Sequence, residues 1–530
     1  MNPQMRMRRI MVTALLALAV LWAAGITRSA DTDDRGKAEH VVVIVWDGLR
    51  PDMVTETNTP TLYKLCKEGV FFAKHHSVYP TSTEVNGTAI ATGVYPNRSG
   101  IIANREYRPE IDPLQAVPTE GIETVQKADK LAAGKYLGVE TVAEIVEAAG
   151  LRATVAGTKA VALLHNRLIV GPNGRERKSV TIFSGNAIPA AALDSIIKVQ
   201  GTFPETVTFP NTAADVWTTK ALTDVLWSDQ VPTFSLLWLS DPDYSQHNSA
   251  LGSPTALASL KSCDDNLAAV LAALEAKGVR DGTDLFVVSD HGFSTISDSV
   301  DVATVLSQAG FNAVRKFKGE PEAGDILVVS LGGSTALYVI GHDPETVGKL
   351  VEFLQQSSFA GVLFTRKNFA GTFTLEQIQL NTTSAPDVMM SFRWTDGRNQ
   401  HGIPGLVQAD SGRKVGQGTH ASFSAFDVHN TLIASGPDFA RDVSSQLPSS
   451  NLDLAPTILW ILGLKPPQSQ SGRVLFEAIR NRETDYPNSE STVVTSSRQM
   501  ANGEWRQYLK LTKLGSTVYV DEGNGGKNDR

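Results

Sequence analysis

The run Val41-Val42-Val43-Ile44-Val45, closing in Trp46-Asp47-Gly48, decides the fold. Five successive β-branched apolar residues leave no face for water, so the segment suits a strand covered on both sides, as in a parallel sheet carrying helices on each face. Two later runs read the same way. Phe234-Ser235-Leu236-Leu237-Trp238-Leu239 ends in Ser240-Asp241-Pro242-Asp243-Tyr244-Ser245-Gln246-His247, and Leu285-Phe286-Val287-Val288 ends in Ser289-Asp290-His291-Gly292. Helix signals lie around them: Thr59 as N-cap with Pro60 next and Gly69 past the end, a capping box from Thr141 to Glu144 with a stop at Gly150, and a helix opened by Ser253-Pro254 and closed at Gly278. Ala153-Thr154-Val155-Ala156 resumes a strand. This alternation predicts an α/β fold with a mostly parallel central sheet flanked by helices. Ligands of such sheets bind beyond the carboxyl ends of the strands, so the three acidic endings are expected to converge on one site.

Outward from that sheet, the stretch Tyr79 to Ile101, Y-P-T-S-T-E-V-N-G-T-A-I-A-T-G-V-Y-P-N-R-S-G-I, carries the reacting group. Thr81 and Glu84 fit a capping box, which places Thr83 in the first turn of a helix with its hydroxyl uncommitted. A helix start also favours anions. A long Gly-rich loop from Trp394 to Gly418 delivers His420, and loops of that length inside a domain are often functional. The collected side chains are Asp47, Asp243, His247, Asp290, His291 and His420, with Thr83 facing them. Carboxylate oxygen together with imidazole nitrogen suits zinc better than magnesium or calcium. His40, His75, His76, His165, His342, His401 and His429 are assigned to structure or solvent.

The bulk composition agrees with a soluble globular enzyme. The chain has 530 residues, 42% apolar and 20% charged, and a net charge of −8 without a long basic run, which excludes nucleic acid as a standing partner. Arg6, Arg8 and Arg9, the apolar run Ile10 to Ala24 and the small residues up to Ala30 read as a secretory signal peptide. No later segment is apolar enough to span a bilayer. A periplasmic or secreted protein is expected. The two cysteines, Cys66 and Cys263, each sit at helical spacing from leucines and are expected as buried free thiols. Texture divides the chain into a signal peptide (1–30), a first part of the catalytic core (38–293), an inserted α+β cap (294–384), a second part of the core (385–480) and a tail with short strands (481–530). Ala385 to Met390 is read as the return to the core.

The motif set resembles the alkaline phosphatase superfamily, and within it the nucleotide pyrophosphatase/phosphodiesterase family. Its members carry, in this order, a strand ending in D-G, T-P before a helix, P-T-x-T-x-x-N, T-G-x-Y-P, G-I, P-D-x-x-x-H, S-D-H-G and a late G-x-H. Here these are Asp47-Gly48, Thr59-Pro60, Pro80 to Asn86, Thr92 to Pro96, Gly100-Ile101, Pro242-Asp243 with His247, Ser289 to Gly292, and Gly418-Thr419-His420. The resemblance implies an alkaline-phosphatase-like fold and two zinc ions, one held by Asp243, His247 and His420, the other by Asp47, Asp290 and His291 beside Thr83. It implies attack of Thr83 on phosphorus, a covalent phosphothreonine, and hydrolysis of a small phosphate ester, with Asn86 and the Thr83 N–H binding a non-bridging oxygen. Two departures bear on substrate: many members stack a nucleobase on a Phe where this chain has Glu84, and carry His where it has Gly87. A phosphomonoesterase is the alternative within the superfamily, with Lys159 as a source of charge for a dianion. A catalytically inactive zinc-stabilised binding protein is the other-class alternative, and neither cysteine has the sulfatase pattern. Oligomeric state is not fixed by the sequence.

Overall fold

The strand His40–Trp46 lies in the middle of a nine-stranded sheet, and every residue from Val41 to Trp46 is fully buried in this computed structural model. The structure describes residues 35–168, 179–482, 484, 486 and 488–528. The expected signal peptide lies outside them. His40–Trp46 pairs with Thr283–Val288 on one side and with Phe234–Leu239 on the other, both parallel; Ala153–Gly157 and Val180–Phe183 extend the parallel run. Leu432–Ser435 is antiparallel beyond Thr283–Val288, and Val70–Phe72 and Val443–Ser445 finish that edge. The fold is alkaline-phosphatase-like α/β, with a mixed sheet whose centre is parallel. Among the described residues no helix is long and apolar enough to cross a membrane.

Side-chain alternation along the strands splits the core in two. Val41, Val43 and Val45 pack on one face against Leu454, Ile458 and Leu459 of the helix Leu454–Ile461, whereas Val42 and Ile44 pack on the other with Leu260, Cys263 and Leu267 of the helix Pro254–Ala276. Each buried Val or Leu side chain contributes roughly 1.5–3 kcal/mol, which rigidly fixes where the strands end. Local signals hold at several helix ends. The Thr141–Glu144 capping box is formed, Ser253 Oγ accepts from the Ala256 N–H, and Pro60 opens its helix with Gly69 at the C-cap. Both cysteines are free thiols; Cys263 is fully buried and Cys66 half-buried.

Three readings are corrected. The segment Trp394 to Gly418 is largely not loop: Trp394–Arg398 and Pro404–Asp410 form a hairpin, and the latter runs parallel to Ser294–Val300 in a four-stranded sheet. Gly402 and Gly405 take positive φ at its turn, so the glycines that suggested a loop supply a turn. Val388–Phe392, expected in the main sheet, is hydrogen-bonded between Ser334–Val339 and Ala360–Thr365 in a separate six-stranded sheet. Its apolar run is equally suited to either sheet, and only pairing distinguishes them. The tail strands are longer than expected: Glu490–Met500, Gly503–Leu514 and Thr517–Asn528 form one antiparallel sheet, and Trp505 is buried among Leu350 and Leu354 of the helix Pro344–Gln356 and Phe392 of the six-stranded sheet.

Candidate active site

Four neighbouring parallel strands end side by side, in the order Thr283–Val288, His40–Trp46, Phe234–Leu239, Ala153–Gly157. Within three residues of these ends come Asp290 and His291, then Asp47, and then Lys159; from the third strand, the Asp243 N–H donates to the Asp47 carbonyl at 2.9 Å and so draws Asp243 against Asp47. His247 follows one helical turn after Asp243, and His420 enters from the strand Gly418–Thr419. Asp243, His247 and His420 form one tight group and Asp47, Asp290 and His291 another, with ligand atoms in each within 4.8 Å of one another.

The donor sets suit cations. His291 Nδ1 faces the Gly292 carbonyl at 2.9 Å, His247 Nδ1 that of Gly418 at 3.0 Å, and His420 Nδ1 that of Thr81 at 2.9 Å. A carbonyl only accepts, so each ring carries its proton on Nδ1 and turns a lone pair outward from Nε2. Those lone pairs point at carboxylate oxygens: Nε2 of His247 lies 3.1 Å and Nε2 of His420 3.5 Å from Asp243 Oδ1, while Nε2 of His291 lies 3.2 Å from Asp290 Oδ2 and 3.6 Å from Asp47 Oδ1. These three oxygens are the ones left without a hydrogen-bond donor. Buried acceptors facing buried lone pairs repel unless a cation stands between them, so the residues fit a metal in each group.

Lys159 occupies the other side of the same carboxylates. Its Nζ lies 2.9 Å from Asp47 Oδ2 and 3.0 Å from Asp243 Oδ2, and 3.5 Å from Thr83 Oγ1. Burial opposes its charge, but Asp243 and Asp47 outweigh that and hold the ammonium well above the usual lysine range. Burial and the Asp290 charge push the Asp47 carboxyl well above its usual range, as three crowded carboxyl groups require.

Thr83 is the first residue of the helix Thr83–Thr92, with its hydroxyl 3.3 Å from His291 Nε2. The capping box expected at this start is absent. Ser82 is the N-cap without a side-chain bond, the Thr81 hydroxyl donates to the Ser422 carbonyl at 3.0 Å, and Glu84 turns toward Glu120. Tertiary partners outbid the local motif, yet the Thr83 hydroxyl faces the metal-binding groups as expected.

Asn86 is not where the resemblance puts it. Its Oδ1 accepts from the Val78 N–H at 2.6 Å and from Asn451 Nδ2 at 3.0 Å, and its Nδ2 donates to the carbonyls of Val78, Pro80 and Ser82. The amide is spent on holding the loop before Thr83. Gly87 likewise faces inward, since a Cβ there would meet Val161 at 2.6 Å and Trp238 at 3.1 Å, so this departure concerns packing rather than substrate.

An open cavity of about 710 Å³ lies over the site, lined by Thr83, Glu84, Lys159, Asp243, His247 and His420. Asn104, Glu120, Tyr244 and Arg413 also line it and were not anticipated. They come from loops and a helix start with no motif spacing; only the fold collects them. Asn104 Oδ1 accepts from the Glu84 N–H at 3.3 Å, which sets it beside the start of the Thr83 helix. Burial and neighbouring Glu120 push the Glu84 carboxyl well above its usual range.

The sequence profile of the type I phosphodiesterase/nucleotide pyrophosphatase family matches residues 41–377, more than half of the chain and all the site residues except His420. The chain belongs to this family. Among curated members, it is 20% identical over 304 residues to mouse bis(5'-adenosyl)-triphosphatase enpp4, covering 57% of each protein. To the enzyme of the same name from Xenopus laevis it is 32% identical over 90 residues, covering 17% of this chain and 20% of the frog protein. With the venom phosphodiesterase of Naja atra it shares 22% over 263 residues, covering 48% of this chain and 26% of the venom protein. The chain thus spans between a fifth and somewhat over half of these relatives. Human ectonucleotide pyrophosphatase/phosphodiesterase 5 has the same fold, with a TM-score of 0.59 at 15% identity over 83% of this chain and 100% of that one. The family's members hydrolyse phosphodiester and pyrophosphate bonds, and the two Asp/His groups give this member the means to bind metal.

Proposed function

We propose that the chain is a periplasmic or secreted phosphoric diester hydrolase that uses two zinc ions and Thr83 as nucleophile. The observation that carries this reading is the Thr83 hydroxyl, held at a helix start within 3.3 Å of His291 and opening into a cavity between two groups of orphaned carboxylate oxygens and histidine lone pairs. Asp243, His247 and His420 would hold one ion and Asp47, Asp290 and His291 the other. Bound there, the ions would supply positive charge that favours the Thr83 alkoxide and offsets charge on the entering and leaving oxygens.

The chain's own groups would do the rest. Thr83 Oγ1 attacks phosphorus as the bond to the leaving alcohol breaks, giving a phosphothreonine ester that keeps the other alkoxy group, while the Thr83 proton ends on the departing alcohol; water then displaces Oγ1, and the Thr83 hydroxyl is restored with release of a phosphate monoester. The Thr83 N–H, among the donors left unpaired in the first helical turn, and the Lys159 ammonium stabilise non-bridging oxygens where charge develops. The charge carried by the paired Glu84 and Glu120 in the cavity wall disfavours a polyphosphate chain, so the alcohol side of the substrate is read as uncharged or cationic. This separates the chain from the triphosphate-cleaving activity in its relatives' names.

Lys159 also supports a second reading. A lysine beside the nucleophile suits the extra charge of a monoester dianion. The experiment is the ratio of kcat/KM for a bis-aryl phosphate diester to that for the matching aryl monoester, on zinc-loaded protein. A ratio well above one is expected; a ratio well below one would replace the diesterase with a phosphatase.

A further inference from the structure

Outside the two groups already described, another set of ligating groups meets where the C-terminal sheet joins the core. His76 lies in the short strand His75–His76, His429 is the C-cap of the helix Ala425–Val428, and Asp521 belongs to the strand Thr517–Asn528. Their ligand atoms fall within 4.8 Å of one another. His76 and Asp521 are buried, at 1% and 7% exposure, and His429 is half-buried.

The atomic pattern repeats that of the active-site histidines. His76 Nδ1 faces the Ser449 carbonyl at 2.9 Å, which fixes its proton there, and Nε2 lies 2.9 Å from Asp521 Oδ1. The His76 and His429 rings lie 4.5 Å apart between centroids. Asp521 Oδ2 is taken by the Thr512 hydroxyl at 2.7 Å, which orients the carboxylate and leaves Oδ1 for the group. Such outer partners, a carbonyl behind the His76 imidazole and a hydroxyl behind the carboxylate, are what orient metal ligands.

We propose that His76, His429 and Asp521 form a third metal site, for a divalent cation of the zinc class, that tethers the C-terminal sheet to the core. Two imidazoles and one carboxylate match zinc's preferred ligands and leave one position of a tetrahedron. A cavity of about 420 Å³ has His76 and Tyr519 in its wall. No nucleophile is required there, and the role is structural. The competing arrangement is a plain ion pair between protonated His76 and Asp521.

The test is zinc content per chain after loading and dialysis into metal-free buffer, for wild-type protein and for His429→Gln and Asp521→Asn. Each variant is expected to hold one zinc fewer than wild type, to keep kcat/KM for a phosphate diester within about twofold, and to lose the part of the thermal midpoint that added zinc restores to chelated wild type. Equal zinc content in all three proteins would overturn the site and leave the ion pair. If neither variant folds, Asp243→Asn/Asp290→Asn, which strips one carboxylate from each active-site group, decides by its zinc content. A retained zinc that competes with a weak chelator supports the third site, and loss of all zinc overturns it.

Discussion

Thr83, the proposed nucleophile, and the six side chains proposed to hold metal divide the labour of the site. The ligands are fixed by strand ends and by backbone carbonyls behind each histidine, so they do not depend on Thr83 for their placement. Thr83→Ala is therefore expected to keep its metal content and thermal midpoint while kcat falls by at least about 10³-fold, because a nucleophile has no substitute in a covalent route. Wild type stripped by a chelator should recover with zinc and not with magnesium; recovery with magnesium would remove zinc from the reading. His165 shows a different residue-scale effect. It is 2% exposed, sits edge-on to Trp238 with ring centroids 5.6 Å apart, and its Nε2 has no hydrogen-bond partner. Burial drives it down to about 3. The neutral ring is thus favoured in the fold, and the stability tied to it is present above the unfolded value of about 6.5 and lost as pH falls toward 3. Between pH 7 and pH 5 that amounts to about 2 kcal/mol. Urea unfolding of His165→Phe beside wild type should show this much less acid sensitivity, and an unchanged pH dependence would refute the assignment.

Among the elements, the helix Thr83–Thr92 matters most, because it is buried along its whole length and carries Thr83 at its tip. Gly87 lets it approach Val161 and Trp238, and the Trp238 Nε1 in turn donates to Asp47 Oδ2 at 2.8 Å. Packing and metal site are coupled through that indole. Gly87→Val should cost about 1–3 kcal/mol by overpacking and, by displacing Trp238, lower kcat as well. A variant with the expected fall in thermal midpoint but unaltered kcat would show that the helix yields on its far side instead.

On the scale of the whole molecule, the C-terminal sheet is part of the body rather than an appendage. Trp505 is fully buried among Leu350, Leu354 and Phe392, and its Nε1 donates to the Gly371 carbonyl at 2.9 Å. Tyr519 reaches Asp453, at the start of a core helix, with its hydroxyl 3.1 Å from Oδ2. Trp505→Ala should cost about 3–5 kcal/mol and expose the last forty or so residues to limited proteolysis before the core is cut. If the cleavage pattern and thermal midpoint match wild type, the sheet contributes nothing to the stability of the body.

The sequence by itself determined the sheet centre and the ends of its strands. Continuous β-branched runs have one good environment, and the residues just past them have one place to go, so Asp47, Asp243, His247, Asp290 and His291 were legible together. His420 and Thr83 were legible from motif order. Tertiary structure decided whatever depends on which partner wins. Thr81 and Glu84 carry a capping box that other hydrogen bonds override; the amide of Asn86 serves a loop because Val78 and Asn451 reach it first; Val388–Phe392 joins the smaller sheet because strand pairing is set by neighbours and not by composition. Asn104, Glu120, Tyr244 and Arg413, like the meeting of His76 and His429 with Asp521, left no local trace. Residues brought together across hundreds of positions share no periodicity or spacing, and only the closed chain makes them neighbours.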